Sequence, residues 1–252
     1  TYIYKYLDTI QDERFKEKSG LLNKDVYVIS KDDEKKALDR LVSRDLLNEH
    51  LLSDTERLGY VEEEVNKKLF YLSGVSRLTG EPISVLDISP SGTGKSFGMS
   101  RIMELSPPDG LLSYSRLTPK ALYYKAEEDL QQRVLYVEEL VGMEESLESV
   151  RMLLSSGELS TSVVEKDART GTLKTVERRI KVNMPLISGG TRDIFDEETL
   201  SRFVLTYNNI NEDHLKEILK ALSFKYSLKG ESLALQRDRI LKKHRDMQMC
   251  FD

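Results

Sequence analysis

Ser89-Pro90-Ser91-Gly92-Thr93-Gly94-Lys95-Ser96 separates an apolar run, Ile83-Ser84-Val85-Leu86-Asp87-Ile88, from a helical pattern that ends at Pro107-Pro108. A strand, a glycine-rich turn and a helix start in that order make a phosphate-cradling turn, a P-loop. Backbone N–H groups and the positive end of the helix dipole face the phosphates. In such a turn Lys95 reaches the outer phosphates and the Ser96 hydroxyl suits Mg²⁺, with Ser91, Gly92, Thr93, Gly94 and Phe97 completing the nucleotide contacts. The usual pattern opens on glycine, and Ser89 stands there instead. The spacing therefore predicts a nucleotide site in an α/β fold, a parallel sheet between helices.

Composition narrows the rest. At 252 residues, 39% hydrophobic, the chain is long enough for one large domain with a smaller appendage. A net charge of −5 argues against a protein that is basic all over, so any nucleic-acid contact must come from a local patch. The single cysteine, Cys250, excludes a disulfide framework and fits a reducing compartment. His50, His214 and His244 are far apart, and no Cys/His spacing suggests zinc. No apolar run approaches the ~18 residues of a membrane helix, and no signal peptide opens the chain. The first residue is Thr1 rather than Met, the expectation for a piece of something longer.

Outward from the turn, residues 1–75 read as a charged helical collar. Asp25-Val26-Tyr27-Val28-Ile29 reads as a short strand, and a helix follows from Ser30 to about Asn48 with Ala37, Leu38, Leu41, Val42 and Leu46 at helical spacing. A second helix from Asp54 carries Leu58, Val61, Val65, Leu69 and Leu72. After Pro108 come a strand over 110–115 and a helix from Thr118-Pro119 to about Leu130. Arg133-Val134-Leu135-Tyr136-Val137-Glu138-Glu139 is then a buried strand ending in two carboxylates, 43 residues after Lys95 in the case of Glu138. Glu138 suits the Mg²⁺ shell, although aspartate is usual there, and Glu139 suits a base that orients water.

A helix over 144–154 stops at Gly157, and two β-rich runs, 159–165 and 172–181, form a hairpin. Lys166, Arg169, Lys174, Arg178, Arg179 and Lys181 make it the densest basic cluster of the chain. A charged, protected edge is the plain reading, and a phosphate-backbone contact through Lys166, Arg169 and Lys174 is the functional one. Val182 to Ser188 is a further core strand running into Gly189-Gly190-Thr191. Leu200-Ser201-Arg202-Phe203 leads into a last strand, and 211–249 is helical and charged.

The order of these motifs resembles an AAA+ ATPase of the pre-sensor-1 hairpin clade. Leu200-Ser201-Arg202-Phe203 resembles the finger segment of minichromosome-maintenance helicases. Ser76-Arg77-Leu78-Thr79-Gly80-Glu81-Pro82, the Ser-x-x-x-Gly-Lys-Ser turn and Ser156-Gly157-Glu158-Leu159 resemble the ATPase domains of bacterial and phage primase-helicases, over about residues 65 to 207. The resemblance implies an α/β P-loop core over 76–208, a parallel sheet between helices, with the helical collar over 1–75 and a short helical lid over 209–252. It implies ATP and Mg²⁺ as ligands, Glu138 and Glu139 as the acidic pair, and Thr191 or Ser188 as the residue sensing the γ-phosphate. Arg202 becomes a finger acting on a neighbour's ATP, and the 158–181 hairpin a DNA-contacting loop. The function expected is ATP-dependent DNA unwinding or remodelling by a homo-oligomer, a hexameric ring on single-stranded or forked DNA, with a primase domain or partner. The setting expected is the cytoplasm of a bacterial, phage or mobile-element host. A nucleotide-gated DNA-binding assembly switch is the alternative, and a small-molecule kinase leaves the hairpin and Arg202 without a role.

Overall fold

The computed structural model describes residues 26–90, 92–116, 130–140, 147–166, 173–191, 195–208, 211–225 and 228–251. A five-stranded sheet is its frame, built from β1 (Val85–Ile88), β2 (Leu111–Tyr114), β3 (Val134–Glu139), β6 (Leu186–Gly190) and β7 (Val204–Thr206). The strand order is β2-β3-β6-β1-β7, and every neighbouring pair runs parallel. The remaining strands, β4 (Glu158–Lys166) and β5 (Leu173–Lys181), form a separate antiparallel hairpin.

The sheet is apolar on both faces, as a parallel sheet covered by helices must be. Alternate residues of each strand enter different cores. Leu86, Leu135, Val137 and Leu186 face one side, with Val150, Leu153, Phe195, Phe203 and, from the hairpin, Ile180. Val85, Val134, Tyr136 and Ile187 face the other, with Phe70, Met99, Ile102 and Ile240. Burying one such aliphatic side chain contributes about 1.5–3 kcal/mol, so these layers outweigh any single polar contact. The first face is covered by α5 (Leu147–Ser156) and the base of the hairpin, the second by α3 (Glu64–Val75), α4 (Lys95–Met103) and α8 (Leu228–Gln248).

The collar departs from its expected layout. Helix α1 (Lys31–Ser43) is capped by Ser30 Oγ, which accepts from the Asp33 N–H at 3.2 Å, but it ends at Ser43 rather than Asn48. Asp45 is the cause: its carboxylate accepts from the N–H groups of Leu47 and Asn48 and starts a π-helical turn, Leu46–Leu51. The expected second helix is likewise split into α2 (Leu52–Arg57) and α3. Gly59, Glu62 and Glu63 between them all have positive φ, a conformation no helix holds. Val26–Ser30 is not a strand. It crosses the surface tied by side chains, with Tyr27 N–H donating to Asp109 at 3.2 Å and Tyr27 O–H to Asp246 at 2.8 Å.

The expected helix from Thr118 and the hairpin turn over 167–172 lie outside the described residues, as does the start of the helix expected from Glu144. Gly157 closes α5 with φ +58°, its N–H donating to Leu153 O at 3.1 Å. At the C-terminus, α7 (Glu212–Lys225) precedes α8, whose last turns return to the collar and to the far end of α4. There Arg245 donates to the carbonyls of Glu104 and Ser106 at 3.0–3.3 Å, a cation placed on the negative end of the α4 dipole.

Candidate nucleotide site

The turn between β1 and α4 takes its shape from two glycines, Gly92 at φ +82° and Gly94 at φ +84°. Open space surrounds both positions, so it is the backbone angle that demands glycine here. Gly94 is the N-cap of α4 and has no side chain to offer, which leaves the first-turn N–H groups of the helix without a side-chain cap. Gly98, one turn on, lets the Tyr60 ring lie on the helix; a Cβ there would approach it to 2.7 Å.

Lys95 is 9% exposed, and its Nζ donates to Ser89 O at 2.7 Å and Gly190 O at 3.4 Å. The ammonium therefore lies between the ends of β1 and β6. Together with Gly92, Gly94, Ser96, Phe97, Glu138 and Glu139 it lines a cleft of about 270 Å³. Phe97 is 42% exposed at this cleft, its ring backed by the Arg101 guanidinium at 4.8 Å.

Neighbouring strand residues ordinarily point to opposite faces, yet Glu138 and Glu139 line the same cleft. The register explains this. Val137 pairs with Ser188 and Glu139 with Gly189, so Glu138 is an extra residue, a bulge that turns the strand end. Glycine at 189 permits it, because a Cβ there would stand 3.4 Å from Glu138 O and 3.1 Å from Met99. Gly190 is required too, since its Cβ would overlap the Phe195 ring at 2.4 Å.

The other expected site residues are spread over the molecule. Ser188 is fully buried and donates to Val137 O at 2.7 Å, so its hydroxyl is committed to the sheet. Thr191 follows Gly190 directly at the end of β6, the strand between β1 and β3, and is the freer of the two hydroxyls. Arg202 lies elsewhere: its guanidinium is held by Glu198 at 2.8 Å, on α6 (Glu197–Leu200), and by the hydroxyl of Ser155 on α5. Lys166 and Lys174 occupy β4 and β5 at the distal end of the hairpin, while Arg169 and Ser91 lie outside the described residues.

Three polar residues of the site carry no motif. Asp87 is buried in β1, accepts the Ser89 hydroxyl, and is pushed up to about 6 by desolvation, against the pull of that bond and of Lys95. A lone carboxylate inside the apolar run was its visible signal. Asn208 borders the loop and Asn66 backs Asn208, and nothing in the sequence around them marks it. Among the described residues no cluster of His, Cys, Asp and Glu is arranged to hold a metal on its own, and no helix is long and apolar enough to cross a membrane.

No curated protein matches the chain. A family model does, over residues 19–245, which is most of its length: the chain belongs to the MTBMA_p00010 P-loop domain family.

Proposed function

We propose that the chain is the ATP-hydrolysing motor domain of a DNA helicase or translocase, of the AAA+ type with a hairpin before sensor 1. The observation that carries the nucleotide part is the meeting of Lys95, Ser96, Glu138 and Glu139 in one cleft. A buried ammonium resting on neutral carbonyls suits a polyphosphate, and a hydroxyl with adjacent carboxylates is the hard oxygen set that Mg²⁺ prefers. Bound there by Ser96 and Glu138, Mg²⁺ would neutralise charge on the transferring phosphoryl group. Glu139 would orient and deprotonate the attacking water, Thr191 would contact the γ-phosphate, and Phe97 would offer its ring to the base.

The motor part rests on parts the nucleotide cleft does not need. The hairpin is anchored in the core by Ile180, and its basic residues Lys166, Arg169 and Lys174 would contact the DNA backbone. Arg202 is outside the cleft of its own chain and serves a neighbour in a homo-oligomer, a hexameric ring. On this reading the collar spans 1–75, of which 1–25 lie outside the described residues, and the lid spans 209–252, of which 209–210, 226–227 and 252 do. A primase domain is the natural partner, and the bacterial, phage or mobile-element cytoplasm the setting.

The test is ATP hydrolysis with and without single-stranded DNA, together with strand displacement on a forked duplex and mass measurement with a non-hydrolysable nucleotide. Stimulated hydrolysis with displacement is expected, and Arg169→Ala with Lys174→Ala should abolish displacement, weaken DNA binding and flatten its salt dependence while basal hydrolysis survives. Nucleotide-driven assembly on the fork without displacement makes the chain a switch instead of a motor.

A further inference from the structure

Ser89 stands where the motif ordinarily has glycine, and its side chain is engaged on both sides. Its hydroxyl donates to Asp87 and accepts from the Asn208 N–H at 2.7 Å. Its carbonyl accepts from Lys95 Nζ at 2.7 Å. Asn208 follows β7 and comes from the far end of the sequence, yet it grips the loop at a second point: its Nδ2 donates to Thr93 O at 3.2 Å. The acceptor side of the same amide takes Asn66 Nδ2 at 3.0 Å, and that nitrogen also donates to Tyr207 O at 3.0 Å and Glu63 at 2.9 Å. Asn66 is 5% exposed and Ser89 2%, so these bonds are shielded from water and worth more than surface ones. Glu63 sits at φ +52° next to Glu62 at φ +51°, a backbone the collar must hold against its preference.

We propose that Asn208 is a positioning residue of the nucleotide site, bracing the phosphate-binding turn at Ser89 and Thr93 and tying it through Asn66 to the collar. The inference rests on the nucleotide reading of the cleft. A glycine-rich turn has many conformations to lose when it wraps a phosphate, and a brace at two points removes much of that cost before the ligand arrives. The serine in the first position is then the turn's adaptation to its brace, since glycine would have no hydroxyl for the Asn208 N–H. The brace touches neither Glu139 nor Thr191, so its effect falls on binding rather than on the chemical step. It also links nucleotide occupancy to the β7–α7 junction: whatever orders the loop orders Asn208, and the reverse holds by linkage.

The experiment measures binding of Mg²⁺–adenylyl-imidodiphosphate, steady-state ATP hydrolysis, and hydrogen exchange in peptides covering Val204–Asn208, with thermal unfolding of each variant alongside. Asn208→Ala removes two side-chain bonds and should weaken binding by about 5- to 30-fold, with KM rising in step. Its kcat at saturation should stay within about two-fold. Asn66→Ala should weaken binding less, and the double variant should match Asn208→Ala alone, because Asn66 acts through it. The nucleotide should slow exchange over Val204–Asn208 in the unaltered chain and slow it clearly less in Asn208→Ala, which keeps only the backbone bond to Ser89. Unchanged nucleotide affinity in Asn208→Ala, or a lowered unfolding temperature with affinity intact, overturns the proposal while leaving the site reading standing. If the unaltered chain binds no nucleotide, both fall.

Discussion

Lys95 Nζ donates hydrogen bonds to two backbone carbonyls, at 2.7 and 3.4 Å, and the buried Asp87 carboxyl lies near enough for Lys95 to pull it down without bonding. A phosphate would add charge-assisted hydrogen bonds, roughly twice as strong as neutral ones. On the proposed reading Glu139, exposed at the end of β3, has a different task, because its carboxylate would repel phosphates and would act on the attacking water instead. The two substitutions should therefore separate. Lys95→Ala should lose nucleotide affinity in an equilibrium titration, whereas Glu139→Gln should keep it and lose turnover by ~10²-fold or more in a single-turnover assay. Hydrolysis at the normal rate by Glu139→Gln would mean that the second acidic motif has been misassigned. Both residues were legible in the sequence because each sits at a fixed offset from a local pattern. Asn208 was not: its partners at 66, 89 and 93 meet only once the sheet has formed, and no local spacing encodes that.

At the scale of elements, the core strands follow from the apolar runs, although β6 starts at Leu186 rather than Val182 and Val26–Ile29 forms no strand, and the P-loop helix follows from its glycines. The collar is where periodicity misleads. Ala37 is fully buried on α1 while Val42, on the same expected stripe, is 89% exposed, because the Asp45 cap and the turn at Gly59–Glu63 redirect the chain. What fixes the collar instead is its joint with α8. Buried Asp54 on α2 accepts from Lys243 Nζ at 2.6 Å and faces His244 Nε2 at 3.2 Å, and the His244 ring packs edge-on against Tyr71, centroids 5.6 Å apart. Burial pushes Asp54 up, but the bonds from His244 and Lys243 outweigh it and hold the carboxyl at about 2. Burial pushes His244 down, only partly offset by Asp54, and His50 is lowered in the same way. Each shift has one sign: the folded state binds fewer protons than the unfolded chain, so stability rises with pH. The histidine share is lost as pH falls below about 6.5, and the Asp54 share as it falls from about 4 towards 2. The unfolding temperature should accordingly drop between pH 7 and 5 and again below pH 4, with His244→Gln flattening the first drop. Asp54→Asn should cost about 3 kcal/mol at pH 7, since it leaves Lys243 and a buried imidazole without their anion. A flat profile from pH 7 to 5 in the unaltered chain would show that the joint does not titrate as its contacts require.

For the molecule as a whole, Arg202 decides between a self-sufficient hydrolase and a subunit of a ring. Its side chain is 27% exposed, the guanidinium held by Glu198 on α6 and by the Ser155 hydroxyl on α5, and none of these residues lines the cleft of Lys95 and Glu139. Those partners stand on the opposite face of the sheet from α4, in the layer of Val150, Leu153 and Phe203. An arginine so placed can serve a phosphoryl group only if a second copy brings its own cleft to it, and a planar, always-charged fork suits the spread charge of that transition state. Arg202→Ala should therefore lose about 10³-fold or more in turnover while each subunit still binds ATP. Glu198→Gln, which frees one branch of the fork, should leave nucleotide binding unchanged. Mixing makes the sharper measurement. A Lys95→Ala subunit retains Arg202, an Arg202→Ala subunit retains its cleft, and at half of the mixed interfaces the two intact parts face each other. Hydrolysis should reappear on mixing two preparations that are each inactive, and its dependence on the mixing ratio should follow the number of such interfaces. A mixture that stays inactive although both variants assemble argues against action between subunits, and full activity of Arg202→Ala alone removes the residue from the mechanism.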